Sequence, residues 1–193
     1  MPSSVLYMSM SLDGFITGPD DHAGQGLGRG GERLHEWLGP MDDAAPYFHP
    51  PGASGQIVDE FMATGSVLVG RKTFDYAGRW GGDHHGVPIF VPTRGEPSAP
   101  ASDLVHYVTD GIESAMSRAK EAAGDADVLV HGADLAQSCL RAGVLDEMEI
   151  HLVPVVLGEG RPLFGQLAEH VDLELTRVLE GPGVTHLRFR VNA

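Results

Sequence analysis

The sequence predicts an α/β protein with a mixed, mainly parallel central sheet between two helical layers, closed by an antiparallel hairpin. Three observations predict it. Two apolar strands, Val67-Leu68-Val69 and Val128-Leu129-Val130, each break at a glycine before a helix. Strand-like runs alternate with short helical segments through the first two-thirds of the chain, the signature of parallel βαβ units. The last third instead carries two strand-like runs, Leu173–Leu179 and Val184–Val191, flanking Glu180-Gly181-Pro182-Gly183, which is a hairpin signal.

In chain order, Val5–Met10 is the first strand. It is followed by an insertion from Gly18 to about Ser54, rich in glycine, proline and acidic residues, with a short helical piece over Glu32–Leu38. A helix over Gln56–Ala63 feeds the Val67 strand, and Pro88–Val91 and Leu104–Val108 are further strands. Ile112–Ala123 is helical by its alanine content. A helix over Leu135–Ala142 follows the Val128 strand. Met148, Ile150 and Leu152 alternate with Glu147, Glu149 and His151, as expected of a strand with one buried face, and Pro154 then marks a bulge or an edge. Nothing in the composition divides the 193 residues, so one domain over 1–193 is expected.

A net charge of −14 argues against nucleic acid or an anionic membrane as partner, because phosphates are repelled at long range. The single cysteine, Cys139, excludes an intramolecular disulfide and a cysteine metal cluster, and a cytoplasmic location is the expectation. The amino terminus shows no signal-peptide pattern. The ten histidines form no strong zinc pattern; the adjacent His84 and His85 diverge in most backbone conformations, and their loop reads as solvated. No metal site is expected. Gly26, Gly28 and Gly31 make a literal GxGxxG, but Pro19-Asp20-Asp21 separates them from the strand and no full helix follows, so a Rossmann turn is rejected in favour of a loop over the active site.

The Gly70-Arg71-Lys72-Thr73 turn is the sharpest chemical signal. A glycine lets the backbone approach an anion, free N–H groups at a helix start point at it, and arginine offers a planar fork that suits phosphate. The competing reading is a turn with two solvated basic side chains. A second turn, His131-Gly132-Ala133-Asp134-Leu135, makes one extended ligand spanning both the better account, because ligands of open α/β sheets bind at the carboxyl ends of the strands.

At these residues the chain resembles the dihydrofolate-reductase-like superfamily, and more closely the reductase domain of bacterial riboflavin biosynthesis, the RibD C-terminal type. The resemblance rests on Met10-Ser11-Leu12-Asp13-Gly14-Phe15-Ile16, Gly70–Phe74, Pro88–Arg94, Gly132-Ala133-Asp134, Gly143–Glu147, Val153–Gly160 and Pro162-Leu163-Phe164, in the family's order. It implies a three-layer α/β/α fold and NADPH as cofactor. Gly70, Arg71, Lys72 and Thr73 would hold the pyrophosphate and 2′-phosphate side, with Thr93 and Arg94 near the adenosine end. His131, Gly132, Ala133, Asp134 and Leu135 would lie against the pyrophosphate and nicotinamide ribose. Relatives usually carry two glycines in the second turn, and His131 replaces the first; it is either a phosphate contact or, the favoured reading, a histidine satisfied by a backbone carbonyl.

The resemblance implies hydride transfer from NADPH to a pterin-like or aminouracil-type substrate, as in the 5-amino-6-(5-phosphoribosylamino)uracil reductase step. Asp13, Asp59 and Glu60 are the candidate proton donors, with shaping of the first turn the favoured role for Asp13. Trp37 and Trp80 are candidate substrate contacts. A homodimer is the family expectation, and the apolar Val153–Leu157 run, read as strand, is compatible with it. Two other functions share the fold: a non-catalytic ligand-binding or regulatory protein, and an oxidoreductase using a deazaflavin-type carrier.

Overall fold

The computed structural model describes residues 2–40, 48–95, 102–165, 167 and 170–192. Its strands are β1 (Ser4–Ser11), β2 (Phe15–Thr17), β3 (Ser66–Val69), β4 (Ile89–Pro92), β5 (Val105–Val108), β6 (Val128–His131), β7 (Glu147–Val153), β8 (Arg161–Pro162), β9 (Asp172–Gly181) and β10 (Val184–Asn192). The helices are α1 (Ala53–Met62), α2 (Arg71–Tyr76), α3 (Ile112–Ala123) and α4 (Ala133–Arg141). Eight strands form one sheet in the order β5-β4-β3-β6-β1-β7-β10-β9. Every pairing from β5 to β7 is parallel, and β10 and β9 add on antiparallel.

The apolar runs are continuous because both faces of the central strands are covered. Leu6, Leu68 and Val130 pack with α3 and α4 through Ala115, Ala119 and Leu135. Their neighbours Val5, Val67 and Leu129 pack on the other face with Ile57 of α1, Phe74 of α2 and Leu34 of a 3-10 segment over Gly31–Leu38. This is the three-layer α/β/α arrangement the sequence predicts. α3 falls on the predicted residues, while α1 begins earlier, at Ala53.

One expectation is corrected and two features are added. The Val153–Leu157 run is not a strand: β7 stops at Val153, before Pro154, and the segment is a loop whose Leu157 and Gly158 N–H groups donate to Asp13. A two-stranded ribbon of β2 and β8 has no counterpart in the sequence reading, since three and two residues are too short to show a period. The glycine-rich insertion is closely folded where described: Gly18 N–H donates to Leu27 O (2.8 Å) and Arg29 N–H to Pro19 O (2.8 Å). It leads into the 3-10 segment rather than a full helix, in keeping with the rejection of a Rossmann turn. Residues 41–47 of the insertion lie outside the described residues.

Candidate functional site

β3 and β6 are hydrogen-bonded neighbours, with Val69 opposite His131, so the two glycine turns leave the sheet side by side. Gly70 N–H donates to His131 O (3.1 Å) and binds one turn to the other. Gly132 has φ of 102°, and a Cβ there would lie 2.5 Å from Thr73 Oγ1. The turns therefore touch only because this position is glycine. All peptide bonds of the described residues are trans, so the close approach is made through this dihedral.

The turns enclose a groove of about 640 Å³. Gly70, Arg71, Lys72 and Thr73 line one side, Ala133, Asp134 and Leu135 the other, and Arg94 lies at the end of β4. No side chain caps the start of α4, so the Ala133, Asp134 and Leu135 amides stand at an uncapped, positive helix end. Asp75 holds Arg71 by its Nε (2.7 Å) and also holds Arg79 Nε (2.9 Å). The Arg71 guanidinium sits 5.4 Å from the Tyr107 ring centre, and its Nη groups have no hydrogen-bond partner among the described residues. Thr93 is beside the groove rather than in its wall: its N–H donates to Val108 O and its hydroxyl to Gly95 O.

A second cavity of about 670 Å³ adjoins the groove, the two sharing Lys72, Thr73, Tyr76 and Arg161. Trp37 and Trp80, the two tryptophans of the chain, both line it. Trp37 is also core, being almost fully buried with its indole N–H donating to Ser9 Oγ (3.0 Å). Its ring centre is 4.7 Å from that of His151, the two planes tilted by 53°.

The acids predicted from sequence stand outside this cavity. Helical geometry accounts for it: Val58, Phe61 and Met62, at i, i+3 and i+4, form the cavity-facing stripe of α1, which turns Asp59 and Glu60 away. Asp59 is exposed, and Glu60 makes a two-point ion pair with Arg177 (2.6 and 2.7 Å). Asp13 shapes the turn, accepting from Ser11 Oγ (2.6 Å) and from the Leu157 (3.1 Å) and Gly158 (2.7 Å) amides. Those bonds, Ser11's first, hold its carboxyl below the usual range.

The histidines are where sequence reading fell furthest short. His84 is not in a solvated loop; it packs edge-on to Trp80 at 4.6 Å and lines the cavity, with its Nδ1 2.6 Å from His85 Nδ1. His131 lines the cavity rather than the groove. His35 and His151 complete the set, and His151 Nδ1 meets His186 Nδ1 at 3.0 Å. Burial is the largest cause that pushes His35 and His131 down to about 4 and His84 to about 3, and His151 well below its ordinary value. All four are neutral at pH about 7. Asp21, given no site role by the sequence, accepts from Arg161 Nη2 (2.5 Å) and lies 3.6 Å from Lys72 Nζ. Only the fold brings loop residues such as Asp21 and His84 beside His35 and the strand residues His131 and His151, so spacing along the chain gives no signal of the set.

Among known proteins, the RibD C-terminal domain matches residues 2–187. The chain is 26% identical over 183 residues to the Bacillus subtilis (strain 168) uncharacterized protein YwjB, covering 89% of this chain and 88% of that one. It is 27% identical over 211 residues to uncharacterized protein YyaP of the same organism, covering 97% and 94%. Its fold is similar to that of a putative riboflavin biosynthesis protein from Shewanella sp. PV-4, with a TM-score of 0.75, 21% identity and 99% of each chain covered. Acinetobacter baumannii RibD is similar at a TM-score of 0.61 and 18% identity, with all of this chain matching 59% of that one. The match over nearly its whole length makes this chain a member of the RibD C-terminal domain family.

Proposed function

We propose that the protein is an NADPH-dependent reductase acting on a pterin-like or aminouracil-type small molecule. The observation that carries the reading is one groove shared by two strand–glycine–helix turns and opening into an aromatic cavity. The groove's residues fit an extended polyanion: an arginine oriented by Asp75, an uncapped helix start, and a glycine whose Cβ would close the gap. Arg71, Lys72 and the Gly132 turn would hold the phosphates, and Arg94 with Thr93 the adenosine end. When bound, NADPH supplies a hydride; the chain's own part is to orient the cofactor and to shield the cavity from water. The family membership supports a reductase, and the Shewanella neighbour's description points to riboflavin biosynthesis.

A titration with NADPH and NADH, followed by quenching of Trp37 and Trp80, tests the reading. Saturable NADPH binding in the micromolar range or below, stronger than NADH, is expected. Absence of saturation by either nucleotide sinks it and leaves the same groove to a deazaflavin-type carrier, which is also anionic. One observation favours a non-catalytic ligand-binding protein: among the described residues, both carboxylates in the cavity wall are engaged, Asp21 by cations and Asp83 by the Gly86 amide (2.6 Å). NADPH consumption with a reducible substrate would exclude that alternative.

The same reading places the protein in the cytoplasm, where the buried Cys139 stays a thiol. Among the described residues no helix is long and apolar enough to cross a membrane. A homodimer belongs to it as well. The bulge in β9 sets Leu175 and Val178 opposite Phe189 and Leu187, so both share a face with Leu173, opposite Val191, and all three of these β9 side chains are exposed. A second copy would cover this face. Val178→Glu should then give monomers in sedimentation; an unchanged dimer, or a monomeric wild type, contradicts that arrangement.

A further inference from the structure

We propose that the aromatic cavity takes an uncharged, planar heteroaromatic substrate and turns away its phosphorylated counterpart, with Asp21 as the group that discriminates. This rests on the reductase reading and narrows its substrate to a class different from the phosphoribosyl compound of the riboflavin pathway.

Charge is the first argument. Among the described residues, four charged side chains line the cavity, Asp21, Lys72, Asp83 and Arg161. Arg161 gives both Nε (3.1 Å) and Nη2 (2.5 Å) to Asp21, whose same oxygen is 3.6 Å from Lys72 Nζ. Lys72 also lies 5.0 Å over the Tyr76 ring. Lys72 serves the cofactor's phosphates in the reading above, and Arg161, the cation left to a substrate phosphate, is already faced by a carboxylate that is itself only 17% exposed. A phosphate entering here would have to displace Asp21 or lie against it, and like charges in a partly buried site repel strongly.

The second argument is the remainder of the wall. Trp37, Trp80, Phe48 and Phe61 offer aromatic surface, which suits stacking on a flat ring. His35, His84, His131 and His151 line the same space. Burial keeps them uncharged, so they offer hydrogen bonds without a net field. His35 Nδ1 is buried and has no hydrogen-bond partner among the described residues. A volume of about 670 Å³ is enough for a bicyclic or tricyclic ring system with a short side chain.

Matched pairs differing only in a phosphate test this. The first pair is 5-amino-6-(5-phosphoribosylamino)uracil and the same compound without its phosphate; the second is FMN and riboflavin. Each is titrated into protein saturated with NADP⁺, which binds without donating hydride. NADP⁺ saturation is measured beforehand, and its failure would count against the reductase reading itself. With NADP⁺ bound, the uncharged member of at least one pair should bind saturably and about tenfold or more tighter than its phosphorylated partner. Asp21→Asn, which uncovers Lys72 and Arg161, should narrow that gap several-fold. The wild-type comparison is decisive even if the variant folds poorly. Phosphorylated members binding as tightly or more tightly, or no uncharged member saturating, would overturn the proposal and leave the cofactor assignment standing.

Discussion

Lowering the pH from about 7.5 to about 5 should destabilise this protein by several kcal/mol, well before its carboxylates titrate. The cause is the set of buried neutral histidines. His35, His131 and His186 are pushed down to about 4, His84 to about 3 and His151 well below its ordinary value, in each case chiefly by burial. In the unfolded chain the same rings take a proton near pH 6.5. Between the two values the unfolded state binds more protons than the folded one, so stability is full above about pH 6.5 and falls on acidification towards about pH 4. Each ring can contribute up to about 1.4 kcal/mol per pH unit, reduced where neighbouring histidines titrate together. Glu149 works in the opposite direction, because burial raises its pKa and it gains a proton more readily when folded. It is one group against five. Calorimetric melts at pH 7.5 and 5 should differ by about 10 °C or more; a flat melting temperature would mean that these rings are not neutral in the fold.

Arg177→Met should cost about 3–5 kcal/mol at neutral pH. Arg177 holds Glu60 through two bonds and Glu149 through a third (2.8 Å), and the Glu149 side chain is fully buried. Arg188 provides the second cation, bonding Glu147 through Nε (2.5 Å) and Tyr7 through Nη1 (3.2 Å). The cluster thus sets three glutamates against two arginines. Glu149 Oε1 already lacks a partner among the described residues. Removing Arg177 leaves that carboxylate to one distant guanidinium, Arg188 Nη1 at 3.8 Å. Its protonation then becomes the cheapest relief, so the deficit of the variant should be greatest at high pH and shrink on mild acidification. Denaturant melts of both proteins at pH about 8 and about 6 measure it. A loss below about 1 kcal/mol, or one independent of pH, would show that Glu149 is not carried as a charge.

The backbone of this site was legible and its side-chain chemistry largely was not, for identifiable reasons. Gly70 and Gly132 announce themselves because each interrupts an apolar run buried on both faces, and β3 and β6 then prove to be neighbours. Ile112–Ala123 is legible because alanine content is a local property. His151 and His186 are 35 residues apart and meet only through the β7–β10 register, which no local pattern encodes. Asp59 and Glu60 misled because proximity to the cofactor strand in sequence does not fix which face of α1 a side chain occupies. Asp21 and Arg161 were missed for the same reason, since they meet across 140 residues.

One measurement bears most directly on the central claim that a single dinucleotide spans both glycine turns: calorimetric titration of NADPH into the wild type, Arg71→Ala and Gly132→Val. Arg71→Ala removes a charged donor from one turn, and Gly132→Val puts carbon where Thr73 Oγ1 stands at 2.5 Å from even a bare Cβ. Saturable wild-type binding is expected, with a loss of about tenfold or more in each variant and folding checked by circular dichroism. NADPH binding that survives both substitutions unchanged would place the cofactor elsewhere and contradict the account.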